Sequence, residues 1–156
     1  MPAAESAGAS LLAPFPLAFG GGGGDYARGV AFDDDGNVYV TGRFVETVDF
    51  DPGPNVVERT SEGSDDAFIA SYDTNGNLRY VVTIGTENQD YAEGVAVDQS
   101  GNVFTTGRLV GTADFDPNPA STENRTSVGQ GDVFVASYDE TGAFRFAFVI
   151  EATGSD

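Results

Sequence analysis

The side chains of this sequence that could do chemistry are mostly carboxylates. Of its 156 residues, 25 are Asp or Glu, and three of these recur in the same order in two parts of the chain. The two sets are Asp49, Asp51 and Asp66, and then Asp114, Asp116 and Asp132. Three carboxylates offer the hard oxygen ligands that Ca²⁺ prefers. The alternative is that each set anchors a loop by accepting backbone hydrogen bonds and by pairing with arginine.

The residue types argue against catalysis. The sequence contains no His, Lys or Cys, and these residues supply most general bases and nucleophiles near neutral pH. Paired carboxylates hydrolyse glycosides, but acids are so abundant here that any single pair carries little information. We therefore predict that the protein is not an enzyme, and that it has no cofactor unless calcium binds the acid sets.

The net charge limits the partners. A formal charge of −18 disfavours nucleic acid and anionic lipid, because both require a basic surface. No apolar run approaches the roughly 18 residues of a membrane helix, so membrane insertion is not expected. Asn124, Arg125 and Thr126 form an N-glycosylation sequon within a Pro- and Gly-rich stretch, which raises a glycan as a partner if the protein is secreted.

The chain repeats itself. Asp25–Pro52 returns 65 residues later as Asp90–Pro117, with nineteen of 28 positions identical, and Ala67–Asp73 returns as Val133–Asp139. A tandem unit of this size is a supersecondary module that buries its apolar face only against neighbouring units, and roughly three or more are usually needed. We count two, so we expect other copies of the same chain to be partners.

Each repeat has the pattern of four antiparallel strands joined by Asp- and Gly-containing turns. The predicted strands span about 28–33, 38–50, 66–73 and 77–84, then 93–98, 103–115, 132–138 and 143–150. The Pro- and Gly-rich segments Pro52–Ser64 and Pro117–Gly131 interrupt the repeats as surface excursions. Four antiparallel strands make one propeller blade. The prediction is an all-β protein with an extension at 1–24 and repeats at 25–89 and 90–156.

Several short blocks in a fixed order match a known family. GVAFDDDGNVYVTG and GVAVDQSGNVFTTG are followed by VDFDPG or ADFDPN, and then by DAFIASYD or DVFVASYD. This pattern resembles the bacterial SBBP-type β-propeller repeat family. The resemblance implies a propeller-like repeat protein that is secreted or at the cell surface, and it implies no catalytic residues.

A ninth strand is predicted before the first repeat. Pro14–Phe19 matches the fourth strand of each repeat, and Phe15, Leu17 and Phe19 alternate on one face. Because Pro14 and Pro16 lack N–H groups on the same side, the strand can pair on its other side only. Gly20–Gly24 form a flexible tether behind it. The strand either returns to its own sheet or adds to a neighbouring subunit.

These observations favour a structural role over a binding or catalytic one. The sequence predicts a non-catalytic repeat protein that forms a ring or filament through blade packing and exchange of the N-terminal strand, outside the cell or at its surface. The alternative is an extracellular module that binds calcium or glycan through the interrupting segments.

Overall fold

A computed structural model describes residues 18–151, and all of its regular secondary structure is β-strand. The first repeat forms β1 (Tyr26–Phe32), β2 (Val38–Phe44), β3 (Thr47–Asp49), β4 (Glu58–Thr60), β5 (Asp66–Tyr72) and β6 (Leu78–Ile84). The second forms β7 (Tyr91–Val97), β8 (Val103–Leu109), β9 (Thr112–Asp114), β10 (Asn124–Thr126), β11 (Asp132–Tyr138) and β12 (Phe144–Ile150).

Each repeat builds one four-stranded antiparallel sheet. The first sheet has the order β1-β2-β5-β6 and the second the order β7-β8-β11-β12. The hairpins β3–β4 and β9–β10 form two small separate sheets. The predicted all-β fold with two four-stranded, blade-like repeats is confirmed.

The predicted second strands at 38–50 and 103–115 are too long. In the structure each breaks in two, at Glu46 in the first repeat and at Gly111 in the second, which have φ angles of 62° and 88°. A residue in this left-handed region turns the chain, so that its second half leaves the main sheet. That half pairs with a strand inside the segment that was expected to be a surface excursion. Each repeat therefore has six strands rather than four.

The predicted turns are held by aspartate. In the turn after β1, one Asp33 carboxylate oxygen accepts the backbone N–H groups of Asp35 and Asn37, and Gly36 has a φ of 83°. The same arrangement recurs at Asp73, Asp98 and Asp139, and glycine follows three residues later each time. Glycine suits these positions because it has no Cβ to clash at positive φ.

The sheets pack face to face, and their shared apolar layer is the main core. We call it the inter-sheet core. The first sheet contributes Tyr39, Ala67, Ile69, Val82 and Ile84, and the second contributes Ala92, Val103, Leu109, Phe134, Ala136, Tyr138 and Ala147, with Ala113 and Phe115 from the β9–β10 hairpin. The small hairpin is fixed to its own sheet by the Tyr138 hydroxyl, which donates to the backbone carbonyl oxygen of Phe115 at 3.0 Å.

A second cluster lies on the opposite face of the first sheet. It contains Phe44, Val48, Phe50, Phe68, Ala70, Tyr72 and Val81, and Phe19 packs against it. The Phe19 ring lies 5.3 Å from that of Phe50 and 5.8 Å from that of Tyr72. Gly20 forms an isolated β-bridge to Asp49. The C-terminal end of the predicted ninth strand thus contacts its own subunit, while residues 14–17 lie outside the described residues.

The close approach of the second sheet to β6 predicts an uneven effect of glycine substitution. Gly142 has a φ of 86°, and a Cβ there would lie 2.7 Å from the Tyr80 ring on the other sheet. Gly129 has a φ of 92°, but its Cβ would meet nothing within 4 Å. Gly129→Ala should cost about 1–2 kcal/mol from backbone strain alone, and Gly142→Ala should cost about 1–3 kcal/mol more from overpacking. Urea unfolding of both variants measures the difference, and equal losses would contradict this packing.

Candidate assembly surfaces

Several polar contacts cross between the two repeats and help to fix how their sheets meet. Among them, the Arg28 guanidinium donates to Glu93 at 2.8 Å, the Asp90 backbone N–H donates to the Asp65 backbone carbonyl oxygen at 2.8 Å, and the Arg79 guanidinium donates to the Glu140 backbone carbonyl oxygen at 3.2 Å. These contacts frame the inter-sheet core. They therefore define one preferred arrangement of neighbouring blades.

Arg28 and Glu93 hold equivalent positions in the two repeats. Each sits at a β-bulge on the first strand of its sheet, between Ala27 and Gly29 in one and between Ala92 and Gly94 in the other. A bulge re-aims the extra side chain, and here it turns both side chains toward each other. The 65-residue repeat shift makes Glu93 the counterpart of Arg28, so the two equivalent positions carry opposite charges.

The two central strands are buried differently. Every residue of β5 is buried, because at this strand the second sheet covers one face and the β3–β4 hairpin with Phe19 covers the other. In β11, Val133 is 50% exposed, whereas its first-repeat counterpart Ala67 is fully buried. The second sheet is thus covered on one face only within the part of the chain that the structure describes.

That uncovered surface, which we call the second-sheet open face, is apolar. Its members are Phe104, Val133, Val135, Phe146, Phe148 and Ile150, whose first-repeat counterparts Tyr39, Ala67, Ile69, Tyr80, Val82 and Ile84 belong to the inter-sheet core or pack against it. Ile150 is 55% exposed, whereas Ile84 is 1% exposed. The Phe146 and Phe148 rings stack at 6.2 Å. This face has the composition of a buried surface, not of a solvated one.

A complementary apolar surface lies on the far side of the first sheet, and we call it the first-sheet open face. Val30 and Phe32 are 59% and 65% exposed there, although their counterparts Val95 and Val97 pack against the inter-sheet core. Beside them is a groove of about 490 Å³, lined by Phe19, Tyr26, Arg28, Val30, Val40 and Phe68 among others. This face corresponds to the side of the second sheet that is already covered by the first.

Phe19 fills a position on this face that has an internal equivalent. It precedes the first repeat as Ile84 precedes the second, and Ile84 belongs to the core that contains Phe115, Phe134 and Tyr138. Those three residues correspond to Phe50, Phe68 and Tyr72, the aromatic rings that Phe19 contacts. The end of a preceding fourth strand therefore fits this site.

The two acid sets cap loops, and no three acids of residues 18–151 converge on a point that could hold a metal ion. One Asp49 oxygen accepts the N–H groups of Asp51 and Val57, and Asp51 accepts that of Gly53. In the second repeat, Asp114 accepts from the N–H groups of Asp116 and Glu123, and Asp132 accepts from that of Val128. Calcium binding at these acids stays a prediction that this geometry does not favour.

Asp66 is the most perturbed carboxylate. It is buried, one of its oxygens has no hydrogen-bond partner, and the other accepts the N–H of Glu62. Burial raises its pKa to about 6, and the negative charges of Asp90 and Glu62 add to the effect. Burial also raises the pKa of Asp90, although Thr86 and Val110 donate hydrogen bonds to it.

Pairing with arginine was one role expected of the acids, and it is found at only some of the arginines. The ion pairs found among residues 18–151 are Arg28–Glu93, Arg43–Asp65 and Arg125–Glu123, and each joins single atoms. Arg79 and Arg145 instead donate to the Ser71 and Ser137 hydroxyls, and they lie over the rings of Tyr39 and Phe104. The reason is positional, because strand arginines face rings and hydroxyls on neighbouring strands while turn N–H groups occupy many carboxylates.

The sequon asparagine is accessible. Asn124 is exposed and begins β10, on the outer hairpin of the second repeat. The hairpin joins the inter-sheet core through Ala113 and Phe115, and the Arg125 side chain donates to the Ala147 backbone carbonyl oxygen at 2.6 Å. A glycan at Asn124 remains a prediction.

Comparison with known proteins identifies the repeat. The model of the SBBP β-propeller repeat matches residues 18–43 and 77–108. The first matched range covers β1 and most of β2, and the second begins just before β6 and covers β6, β7 and most of β8. A comparison with curated proteins gives no match. Among the described residues, no helix has the length and hydrophobicity needed to cross a membrane.

The raised pKa of Asp66 predicts an unusual pH profile. Because the folded state binds this proton more tightly than the unfolded state, whose ordinary pKa is 3.8, stability should increase as the pH falls from 7 toward 4. Below that range the trend should reverse, since a hydrogen bond from Asn102 lowers the pKa of Asp98 and one from Thr141 lowers that of Asp139.

Asp66→Asn should flatten the rise between pH 7 and 4 and stabilise the protein at pH 7. Melting temperatures across pH 3–8 for both proteins measure this. An unchanged slope in the variant would show that Asp66 is not the titrating group.

Proposed function

Because the chain carries two SBBP-type β-propeller repeats, we propose that it is a non-catalytic structural module that assembles with copies of itself. The assembly is a ring or a filament outside the cell or at its surface, formed by blade packing and by exchange of the N-terminal strand. Asn124 is exposed on the β9–β10 hairpin, which suits a glycan on a secreted protein.

The observation that carries this proposal is the second-sheet open face. Its six apolar side chains have counterparts that are core residues in the first repeat. The same sheet type is therefore built to be covered on both sides. Exposed contiguous apolar surfaces of this kind mark protein interaction sites.

The energetics require both open faces to take part. Burying the exposed halves of Val133, Phe146, Phe148 and Ile150 contributes about 3–6 kcal/mol, at about 1.5–3 kcal/mol for a full side chain. Tyr26, Val30 and Phe32 on the other face contribute about 2–5 kcal/mol on the same basis. Association costs about 4–15 kcal/mol in lost translational and rotational freedom. Burying one open face against a solvated surface does not offset this cost, whereas burying both open faces against each other comes close to offsetting it.

Strand exchange is supported by the site that Phe19 occupies. When blades pack as they do within the chain, the end of the preceding fourth strand, Ile150 of another copy, reaches this same site. A single side chain fills this site, so there are two alternatives. In the first, Ile150 of the other copy displaces Phe19. In the second, Phe19 stays in the site and residues 14–19 take the place of β12 in the second sheet of the other copy. The prolines at 14 and 16 suit the second arrangement, because a fourth strand is an edge strand that pairs on one side only.

We expect charges on the second-sheet open face to abolish assembly. Phe148→Asp and Val133→Asp should each give a monodisperse single chain at concentrations where the unmodified protein forms larger species. The reason is that docking would bury an unpaired carboxylate. Sedimentation velocity over a range of concentrations measures this, with negative-stain electron microscopy to separate rings from filaments.

Val56→Asp is the matched control, since Val56 is 69% exposed but lies in the loop before β4, outside both open faces. It should assemble as the unmodified protein does. A single-chain species for the unmodified protein at all concentrations would refute self-assembly.

Leu17→Asp and deletion of residues 1–17 test strand exchange separately. Both changes leave Phe19 in place, so the first-sheet cluster is retained. If exchange joins the subunits, both variants should lose the large assemblies while keeping the unmodified melting temperature. Assembly that persists in both variants would exclude strand exchange and leave blade packing as the remaining contact.

A further inference from the structure

We propose that the second-sheet open face of one copy docks on the first-sheet open face of the next, in the register of the inter-sheet core, with Glu93 of one copy beside Arg28 of the other. This proposal rests on the proposed self-assembly and specifies its partner surfaces and polarity. Its basis is that the chain already contains one example of the contact it would make between copies.

Each sheet has two different faces, and the internal contact joins unlike ones. The first sheet presents Tyr39, Ile69 and Val82 to that contact, and the second presents Leu109, Phe134 and Tyr138. The face that the first sheet presents to this contact has its equivalent on the second sheet, where it is the second-sheet open face. The face that the second sheet presents has its equivalent on the first sheet, where it consists of Phe44, Phe68 and Tyr72 beside the exposed Val30 and Phe32. One chain therefore leaves one unmatched face of each type.

Charge gives the contact a direction. Within the chain, Arg28 on β1 pairs with Glu93 on β7 at 2.8 Å, and both side chains remain partly exposed. Repeating the same register between copies places Glu93 of the first copy next to Arg28 of the second. The first strands of successive blades then carry alternating arginine and glutamate, so every neighbour has the opposite charge.

The competing arrangement lacks this charge pairing. A two-fold contact between two second-sheet open faces would also bury apolar surface, but it would not place Arg28 of one copy beside Glu93 of the other, and it would leave both first-sheet open faces exposed. A head-to-tail contact is heterologous, so it propagates into a ring or a filament.

The remaining polar contacts fit this register as well. Arg79 donates to the Glu140 carbonyl oxygen of the next blade. Its counterpart Arg145 lies over Phe104 at the rim of the second-sheet open face. The counterpart of Glu140 is Thr74, in the turn between β5 and β6 of the first sheet. The docked arrangement therefore supplies Arg145 with a backbone carbonyl oxygen on the next copy.

The experiment uses three charge variants of the full chain: Arg28→Glu, Glu93→Arg and the double exchange. Each single variant carries two like charges at the equivalent positions, so both its internal pair and its contact with an identical copy become repulsive. We expect each to assemble at least about tenfold more weakly than the unmodified protein in sedimentation velocity at low salt. The double exchange restores alternation and should assemble normally.

Mixing the two single variants separates contacts between copies from contacts within one chain. An equimolar mixture alternates a chain with two glutamates and a chain with two arginines, so every contact between copies is attractive, while the internal repulsion is unchanged. Assembly should return to near the unmodified level in the mixture. Glu123→Arg, which alters an ion pair on the outer hairpin, is the control and should leave assembly unchanged.

The outcomes distinguish the two proposals. A mixture that assembles no better than either single variant overturns the register, as does an Arg28→Glu chain that assembles like the unmodified protein. Both results would leave self-assembly itself standing if the unmodified protein still forms large species. An unmodified protein that stays a single chain overturns both proposals.

Discussion

The structure depends on a property of its sheets: both faces of each are apolar. A four-stranded sheet of this kind cannot be stable alone, since one face would always be exposed to water. The first sheet meets the requirement, with β5 buried throughout, because the second sheet covers one of its faces and the β3–β4 hairpin and Phe19 partly cover the other. The second sheet meets it on one face only. The second-sheet open face therefore follows from the repetition of one sheet type. Its residues are apolar because the equivalent residues of the first sheet are part of the inter-sheet core or pack against it.

The large negative charge is compatible with this packing because many carboxylates serve the backbone. Aspartates at the four turns and at the two small hairpins accept N–H groups that would otherwise lack partners near the ends of strands. Asp66 and Asp90 are exceptions, since burial raises the pKa of both and makes their charge less favourable in the folded state. In the proposed assembly, the remaining surface acids repel other copies at random orientations, which favours contact through the mainly apolar open faces.

The sequence was sufficient to predict the four main strands of each repeat, the turns and the blade-like architecture, because these follow from local patterns and from the near-identity of the two units. It could not predict the break at Glu46, since a non-glycine residue at positive φ gives no local signal. The arginine contacts were also missed. Whether Arg79 meets a carboxylate or the Ser71 hydroxyl depends on the register of β5 with β6, which the sequence alone does not specify.

The open faces were missed for a different reason, although the sequence held a signal for them. Tyr39, Tyr80 and Val82 of the first repeat correspond to Phe104, Phe146 and Phe148 of the second, so the second repeat is the more apolar at positions that prove exposed. Pattern analysis treats an alternating apolar strand as half-buried and does not ask which neighbour buries it. Only the comparison of burial between equivalent residues, such as Ile84 and Ile150, shows that one repeat lacks its neighbour.

The differences between the repeats add charge pairing to the direction that the two unlike faces of each sheet already give the chain. With arginine at position 28 and glutamate at position 93, the first strands attract each other, whereas two identical charged residues would repel. Gly20–Gly24 in place of Gly85–Gln89 loosen the connection before the first repeat only. A head-to-tail stack of such chains has the same alternation inside each chain and between chains. In such a stack, the contact between sheets of one chain and the contact between sheets of two chains are chemically similar. The main difference is that Phe19 and Ile150 compete for one apolar site where two chains meet.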